Sequence, residues 1–196
     1  MFSLKTFTLT ILSFFFIACG SSSDNAPTTT KELDINALVK AEKTTKNEIL
    51  VAINRARSVA RDCHDGQGIT PAAPALTWNN ELYASAYEHS IDLATSNTFS
   101  HYGSGTASDI TGSNNGNQSY FIDRIEANEY IDYKIIGENV AGGHETIEAA
   151  VAGWIASPAH CTNLMNSKFT EMGVAVATNS NSDYGIYWTQ SFGSKK

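Results

Sequence analysis

"EMGVAVATNSNSDYGIYWTQSFG", residues 171–193, carries two runs rich in β-branched and aromatic residues on either side of a polar connector, Asn179–Asp183. Such residues fit a pleated, half-buried surface, and a short polar break between two such runs predicts an antiparallel hairpin. Everything upstream of it reads mainly as helix. Thr45 and Glu48 stand at capping-box spacing, and Ile49, Ala52, Ile53, Ala56 and Ala60 follow at helical intervals, with Arg55, Arg57 and Arg61 largely on the other faces. "DCHDGQGITPAAPAL" (62–76) breaks that helix with two glycines and two prolines. A second helix is predicted from Asn79, as N-cap, to about Ser96, with Leu82, Ala86, His89 and Leu93 as its inner stripe. The apolar neighbours of His89 make it a hydrogen-bonded core histidine.

The remaining segments are shorter. Thr106–Gln118 is poor in apolar residues and reads as a flexible insertion, and "YFIDRIEANEY" regains a helical pattern through Phe121, Ile122 and Ile125. "KIIGENVAGGH" reads as an extended piece meeting a turn. "TIEAAVAGWIAS" reads as a third helix, capped by Thr146 and closed by Pro158. Trp78, Trp154 and Trp188 each lie in an apolar periodic segment and read as core and strand anchors. Helices first and a hairpin last make a mixed α and β fold.

At 196 residues and 42% hydrophobic content the chain suffices for one ordinary domain. A formal charge of −7 excludes nucleic acid as the main partner, since phosphate backbones require a basic face. "GSGTAS" (103–108) lacks the preceding strand and following helix of a phosphate loop.

The first residues read as a targeting segment. Lys5 gives a minimal positive start, and Phe7–Ala18 is apolar but too short to span a bilayer comfortably. "FIACG" resembles the lipobox of bacterial lipoproteins, with Phe16 where leucine is usual, so residues 1–18 are expected to be a signal peptide and Cys19 the lipidated residue. An ordinary cleaved signal, giving a secreted protein, is the alternative. The Ser/Thr-rich stretch that follows suits a tether, placed at 19–44, with the domain at 45–196. Within it Asp34–Lys43 is weakly amphipathic, compatible with packing on the domain or with remaining loose.

Export leaves Cys63 and Cys161 as the two thiols of an oxidising compartment, where pairing is the simplest outcome. The rival reading, Cys161 as a nucleophile beside His160, is weaker because adjacent side chains usually diverge.

"ALTWNNELYASAYEHSIDLA", "FSH", "GENVAGG", "VAGWIASPAHCTNLMNSKFTEMGVAVA" and "YWTQSFG" together resemble, in order and spacing, the bacterial branch of the CAP superfamily. That superfamily is named for cysteine-rich secretory proteins, antigen 5 and pathogenesis-related 1, and its module is also called the SCP domain. The resemblance covers roughly Thr45 to Gly193. It implies an α+β fold, an α–β–α sandwich with a small antiparallel sheet between helical layers. It also implies a cleft of histidines and acids that binds a divalent cation in several members. Carried over by motif, the cleft residues are His101 of "FSH", Glu138 of "GEN" and His160 of "SPAH", where Ala159 replaces the usual glycine. The second acid of animal and plant members, three positions after the helix tryptophan, is Ser157 here. Their second histidine comes from a downstream phrase that here reads "KFTEMG", with Glu171 and no histidine.

Two imidazoles and a carboxylate suit zinc with one position open to water. Glu138 has an equally weighted structural reading, tying down backbone amides of its loop, and Asn139 reads as structural. His144 reads as a solvent or cap residue, and His64 is carried toward His160 if Cys63 and Cys161 pair. Two functions follow. One is an envelope-anchored binding module taking a lipid, a peptidoglycan fragment, a polysaccharide or a protein. The other is a hydrolase using His101, Glu138 and His160, with Ser157 or Ser100 as a distant nucleophile. The missing second carboxylate favours the binding module.

Overall fold

The computed structural model describes residues 34–196. The expected signal segment, Cys19 and the tether as far as residue 33 lie outside the described residues.

In chain order, α1 (Ile35–Glu42) and α2 (Lys46–Arg57) precede a two-stranded ribbon, β1 (Arg61–Asp62) with β2 (Ile69–Thr70). β3 (Thr77–Trp78) then leads into α3 (Asn80–Ser96), followed by α4 (Ile110–Asn115), α5 (Phe121–Ala127) and β4 (Tyr133–Gly142). Last come α6 (Ile147–Ala156), α7 (Pro158–Leu164), β5 (Glu171–Thr178) and β6 (Ile186–Lys195). The predicted hairpin is β5–β6, antiparallel from Glu171 opposite Gly193 to Thr178 opposite Ile186. β4 pairs antiparallel with the other edge of β6, setting Glu138 opposite Ser191. β3 joins β5 in parallel, so the main sheet has the order β3-β5-β6-β4.

Alternation along the strands divides the molecule into three layers. Met172, Val174, Ile186, Trp188 and Phe192 point one way, into a core shared with Ile49 and Ile53 of α2 and Ala150 and Trp154 of α6. On the other face α3 lies against the sheet so closely that a Cβ at Gly173 would stand 2.0 Å from the backbone nitrogen of Tyr83. This is the expected α–β–α sandwich.

α2 has its capping box, Thr45 N donating to Glu48 Oε2 at 2.7 Å, and Asn79 caps α3 by accepting from Leu82 N at 3.0 Å. Local expectations are refined at four places. α1 packs, with Ala37, Leu38 and Ala41 in the main core, so residues 35–42 belong to the folded domain and not to the tether. Pro158 closes α6 as expected, α6 ending at Ala156 before an extended Ser157 (φ −99, ψ 119), but it also opens α7, where its missing N–H costs nothing. The Gly/Ser/Asn-rich stretch 106–118 contains α4, pinned by Asp109, whose carboxylate accepts from Gly105 N, Gly112 N, Ser119 N and Ser119 Oγ. Arg57 is fully buried, its Nη1 donating to Leu164 O at 2.6 Å and Asn166 O at 3.1 Å and its Nε to Pro74 O at 2.9 Å. Burial lowers its pKa to about 10.

Candidate functional site

β4 is an edge strand, and the site forms along it, where the loop after α3 meets α7. Glu138 points to the α3 side of the sheet and is sealed from solvent, its side chain 1% exposed. Both carboxylate oxygens are engaged. Oε1 accepts from His101 Nδ1 at 2.9 Å, and Oε2 accepts from Arg124 Nη2 at 2.8 Å. Because the acceptor is a carboxylate, Nδ1 of His101 carries the proton of this bond. The His101 side chain is 38% exposed, so the pair runs from the interior to the cleft.

Arg124 is itself fully buried, and its two Nη groups hold the surroundings: Nη2 also reaches His101 O at 3.1 Å, and Nη1 reaches Ser119 O at 3.2 Å and Ser119 Oγ at 2.9 Å. Behind Glu138 stands His89, buried on α3, with Nε2 3.9 Å from Glu138 Oε1 and donating to Ser100 O at 2.9 Å. That assigns the proton to Nε2 and leaves Nδ1 bare and unpaired. On the cleft side, the rings of His101 and His160 lie 5.9 Å apart between centroids, tilted by 60°. α7 is held to β4 by Asn139 Nδ2 donating to His160 O at 3.1 Å and Asn163 Nδ2 donating to Glu138 O at 3.1 Å. The Cys63–Cys161 disulfide forms next to His160, buried with Met165.

The three residues carried over by motif therefore lie together beside β4, and Asn139 plays the structural part read for it. Glu138 does not tie down backbone amides of its loop; it neutralises Arg124 and orients His101. Sequence reasoning missed Arg124, which it left off the apolar face in favour of Ile122; the structure buries Arg124 and leaves Ile122 37% exposed. For His89 the apolar stripe located its burial but not its neighbour Glu138. Ser100 Oγ accepts from Tyr102 N, which is a turn contact. Ser157 is the extended residue between α6 and α7. His144 lies over Gly153 of α6, where a Cβ would meet its Nε2 at 2.6 Å, and its carbonyl accepts from the Trp188 indole at 2.8 Å. His64 is an exposed loop residue beside Asp62.

The expected three-donor zinc set does not fit this arrangement. Both oxygens of Glu138 are spent, its charge is matched by Arg124, and among the described residues no group of three or more His, Cys, Asp and Glu is placed to hold a metal ion.

The electrostatics fix protonation. Burial alone would raise the Glu138 pKa, but Arg124, His89 and the two hydrogen bonds outweigh it and hold the carboxyl below its ordinary range. Burial pushes His89 down despite the attraction of Glu138, and Arg124 acts in the same direction as burial. Burial, then the neighbouring His101, lowers His160. A histidine with a lowered folded pKa stays neutral where its unfolded counterpart takes up a proton. Between the ordinary value of 6.5 and the lowered values the unfolded state binds more protons, so stability rises with pH there. Denaturant unfolding should accordingly lose up to about 1.4 kcal/mol per pH unit per histidine on acidification below pH 6.5. Replacing His89 by Gln should flatten that slope, and a wild-type stability flat from about pH 7 to 5.5 would refute the assignment.

The three-layer sandwich, the His101–Glu138–His160 cluster beside β4 and the buried disulfide define a CAP module. Residues 50–192 match the cysteine-rich secretory protein family, and the chain belongs to that family. Over 121 residues it is 32% identical to an uncharacterized membrane protein, YlbC, of Bacillus subtilis (strain 168), covering 60% of this chain and 28% of that one. Over 62 residues it is 40% identical to the uncharacterized protein YkwD of the same organism, covering 32% of this chain and 22% of that one. The chain thus spans about a quarter of the length of these curated relatives. An extracellular protein containing a SCP domain from Bacillus anthracis str. Ames is similar in structure, with a TM-score of 0.54 and 27% identity, covering 76% of this chain and 40% of that one. An outer surface protein from Borrelia burgdorferi matches with a TM-score of 0.55 over 78% of this chain and 96% of its own, and at 20% identity this likeness is one of fold.

Proposed function

We propose that this chain is an exported binding module of the bacterial envelope, attached through a lipid on Cys19, whose His101–His160 cleft takes a polar ligand. One observation carries the reading: the Glu138 carboxylate is buried and fully engaged by Arg124 and His101, which orients an imidazole but leaves no free acid for acid/base hydrolysis. Export is supported by the similarity to an extracellular and an outer surface protein, and no helix among the described residues is long and apolar enough to cross a membrane. The lipid would supply that attachment, and Cys19→Ser should move the protein from the membrane fraction to the soluble one.

The hydrolase alternative is tested directly. Wild type and a His101→Ala, His160→Ala double variant are incubated with fluorescent casein, a nitrophenyl ester and a fluorescent chitooligosaccharide. Equal, background-level turnover is expected. Turnover present in wild type and absent in the double variant would replace the binding module by a hydrolase.

A further inference from the structure

Immediately after His101, the chain turns an aromatic ring outward. Tyr102 is 53% exposed and stacks on Tyr120 with centroids 4.7 Å apart and planes 29° from parallel, and Tyr120 in turn packs on Phe121 at 4.6 Å. The stack is supported from behind, while Tyr102 at its outer end borders a cavity of about 490 Å³. Beside Gly112 and Ser119, the lining is polar: Asn115, Asn117 and Gln118 of the α4 segment, and Asp123 of α5. Cavities of this size are typical of small-ligand sites.

The pocket is preformed. Its floor is pinned by the buried Asp109, which gathers Gly105, Gly112 and Ser119, and Ser119 is held by Nη1 of the same Arg124 whose Nη2 engages Glu138. Asp123 gives one oxygen, Oδ2, to Tyr120 N at 2.7 Å, which fixes its carboxylate and leaves Oδ1 for a ligand. One guanidinium thus ties the pocket wall to the buried base of the His101 cleft.

The chemistry of the lining selects the ligand class. Three primary amides and a carboxylate oxygen offer donors and acceptors in planar pairs, and an exposed phenol ring offers an apolar face. Among the described residues no Lys, Arg or His lines the cavity, and an acidic lining on a chain of charge −7 disfavours an anion. An acyl chain would leave the amides desolvated and unpaired. A sugar matches both parts, its C–H face on the ring and its hydroxyls on the amides and Asp123. We infer that the Tyr102 pocket is a subsite for a neutral saccharide, one that extends the proposed ligand cleft beyond His101. This inference rests on the binding-module reading and names its ligand class.

Chitotetraose, cellotetraose and maltotetraose are titrated into the full chain by calorimetry, up to millimolar concentration. At least one should bind, with Tyr102→Ala weakening it by about tenfold and Tyr102→Phe, which keeps the ring, leaving it close to wild type. A combined Asn117→Ala, Gln118→Ala variant should weaken it as well. No heat with any of the three, or equal affinity in wild type and Tyr102→Ala, would overturn the subsite. The His101→Ala, His160→Ala variant separates the two claims. Tyr102-dependent binding that survives in it keeps the subsite and removes the cleft, whereas binding lost in it but untouched by Tyr102→Ala does the reverse.

Discussion

Arg124→Met should cost this protein about 3–5 kcal/mol, a large share of the stability of an ordinary domain. The guanidinium is fully buried and lies against the Glu138 carboxylate, which is 1% exposed. Without it Glu138 keeps a hydrogen bond from His101 but loses the buried guanidinium that balances its charge. His101 O and Ser119 Oγ lose the Arg124 donor at the same time, while Ser119 O keeps the one from Gly103 N. The group left behind is the source of the cost, so a second change should recover much of it. Arg124→Met with Glu138→Gln removes the orphaned charge and is expected to be clearly more stable than the single variant. Urea unfolding of the wild type, both singles and the double closes that cycle. A single variant within about 1 kcal/mol of wild type would mean that the pair does not carry a buried charge.

That ion pair also shows where a linear sequence stops being readable. The hairpin, the α3 boundaries and the Thr45 cap were legible because each is a local signal: a period of two, an apolar stripe, a residue type at a fixed offset. The disulfide was legible from compartment and count. α7 was not, because Ser157-Pro158 both stops one helix and starts another, and the start shows only in the packing of Cys161 and Leu164. α4 was missed because six residues rich in Gly, Ser and Asn carry no stripe; a single buried Asp109, with four donors gathered from 105 to 119, orders them. Arg57 and Arg124 are the hardest case. Arginine is rarely buried unless paired, and their partners lie on other elements: Leu164 for Arg57 and Glu138 for Arg124. Motif resemblance therefore located His101, Glu138 and His160 in one cleft, but what Glu138 does there depended on a neighbour no motif names.

Removing the Cys63–Cys161 bond is the second large perturbation, and it should act on the site as well as on the fold. The bond closes a span of 98 residues, for which loop entropy alone is worth up to about 4.7 kcal/mol, and losing a native bridge commonly costs about 2–5 kcal/mol. For a domain of this size that corresponds to a fall in Tm of roughly ten degrees. Both cysteines are fully buried, so a Cys63→Ala, Cys161→Ala variant is a cleaner probe than added reductant. α7 has seven residues, too few to persist as an isolated helix, and beside the disulfide it is held by Arg57, Asn139 and Asn163. Loss of the bridge should therefore loosen His160 first, while His101, held by Glu138 and Arg124 on the other wall, keeps its place. Imidazole NMR signals distinguish the two: the His160 resonances should broaden or shift toward solvent values in the variant, and those of His101 should not. An unchanged Tm together with two titratable thiols in the wild type would remove the bridge, and equal disturbance of both imidazoles would mean that it braces the whole cleft instead of the α7 wall.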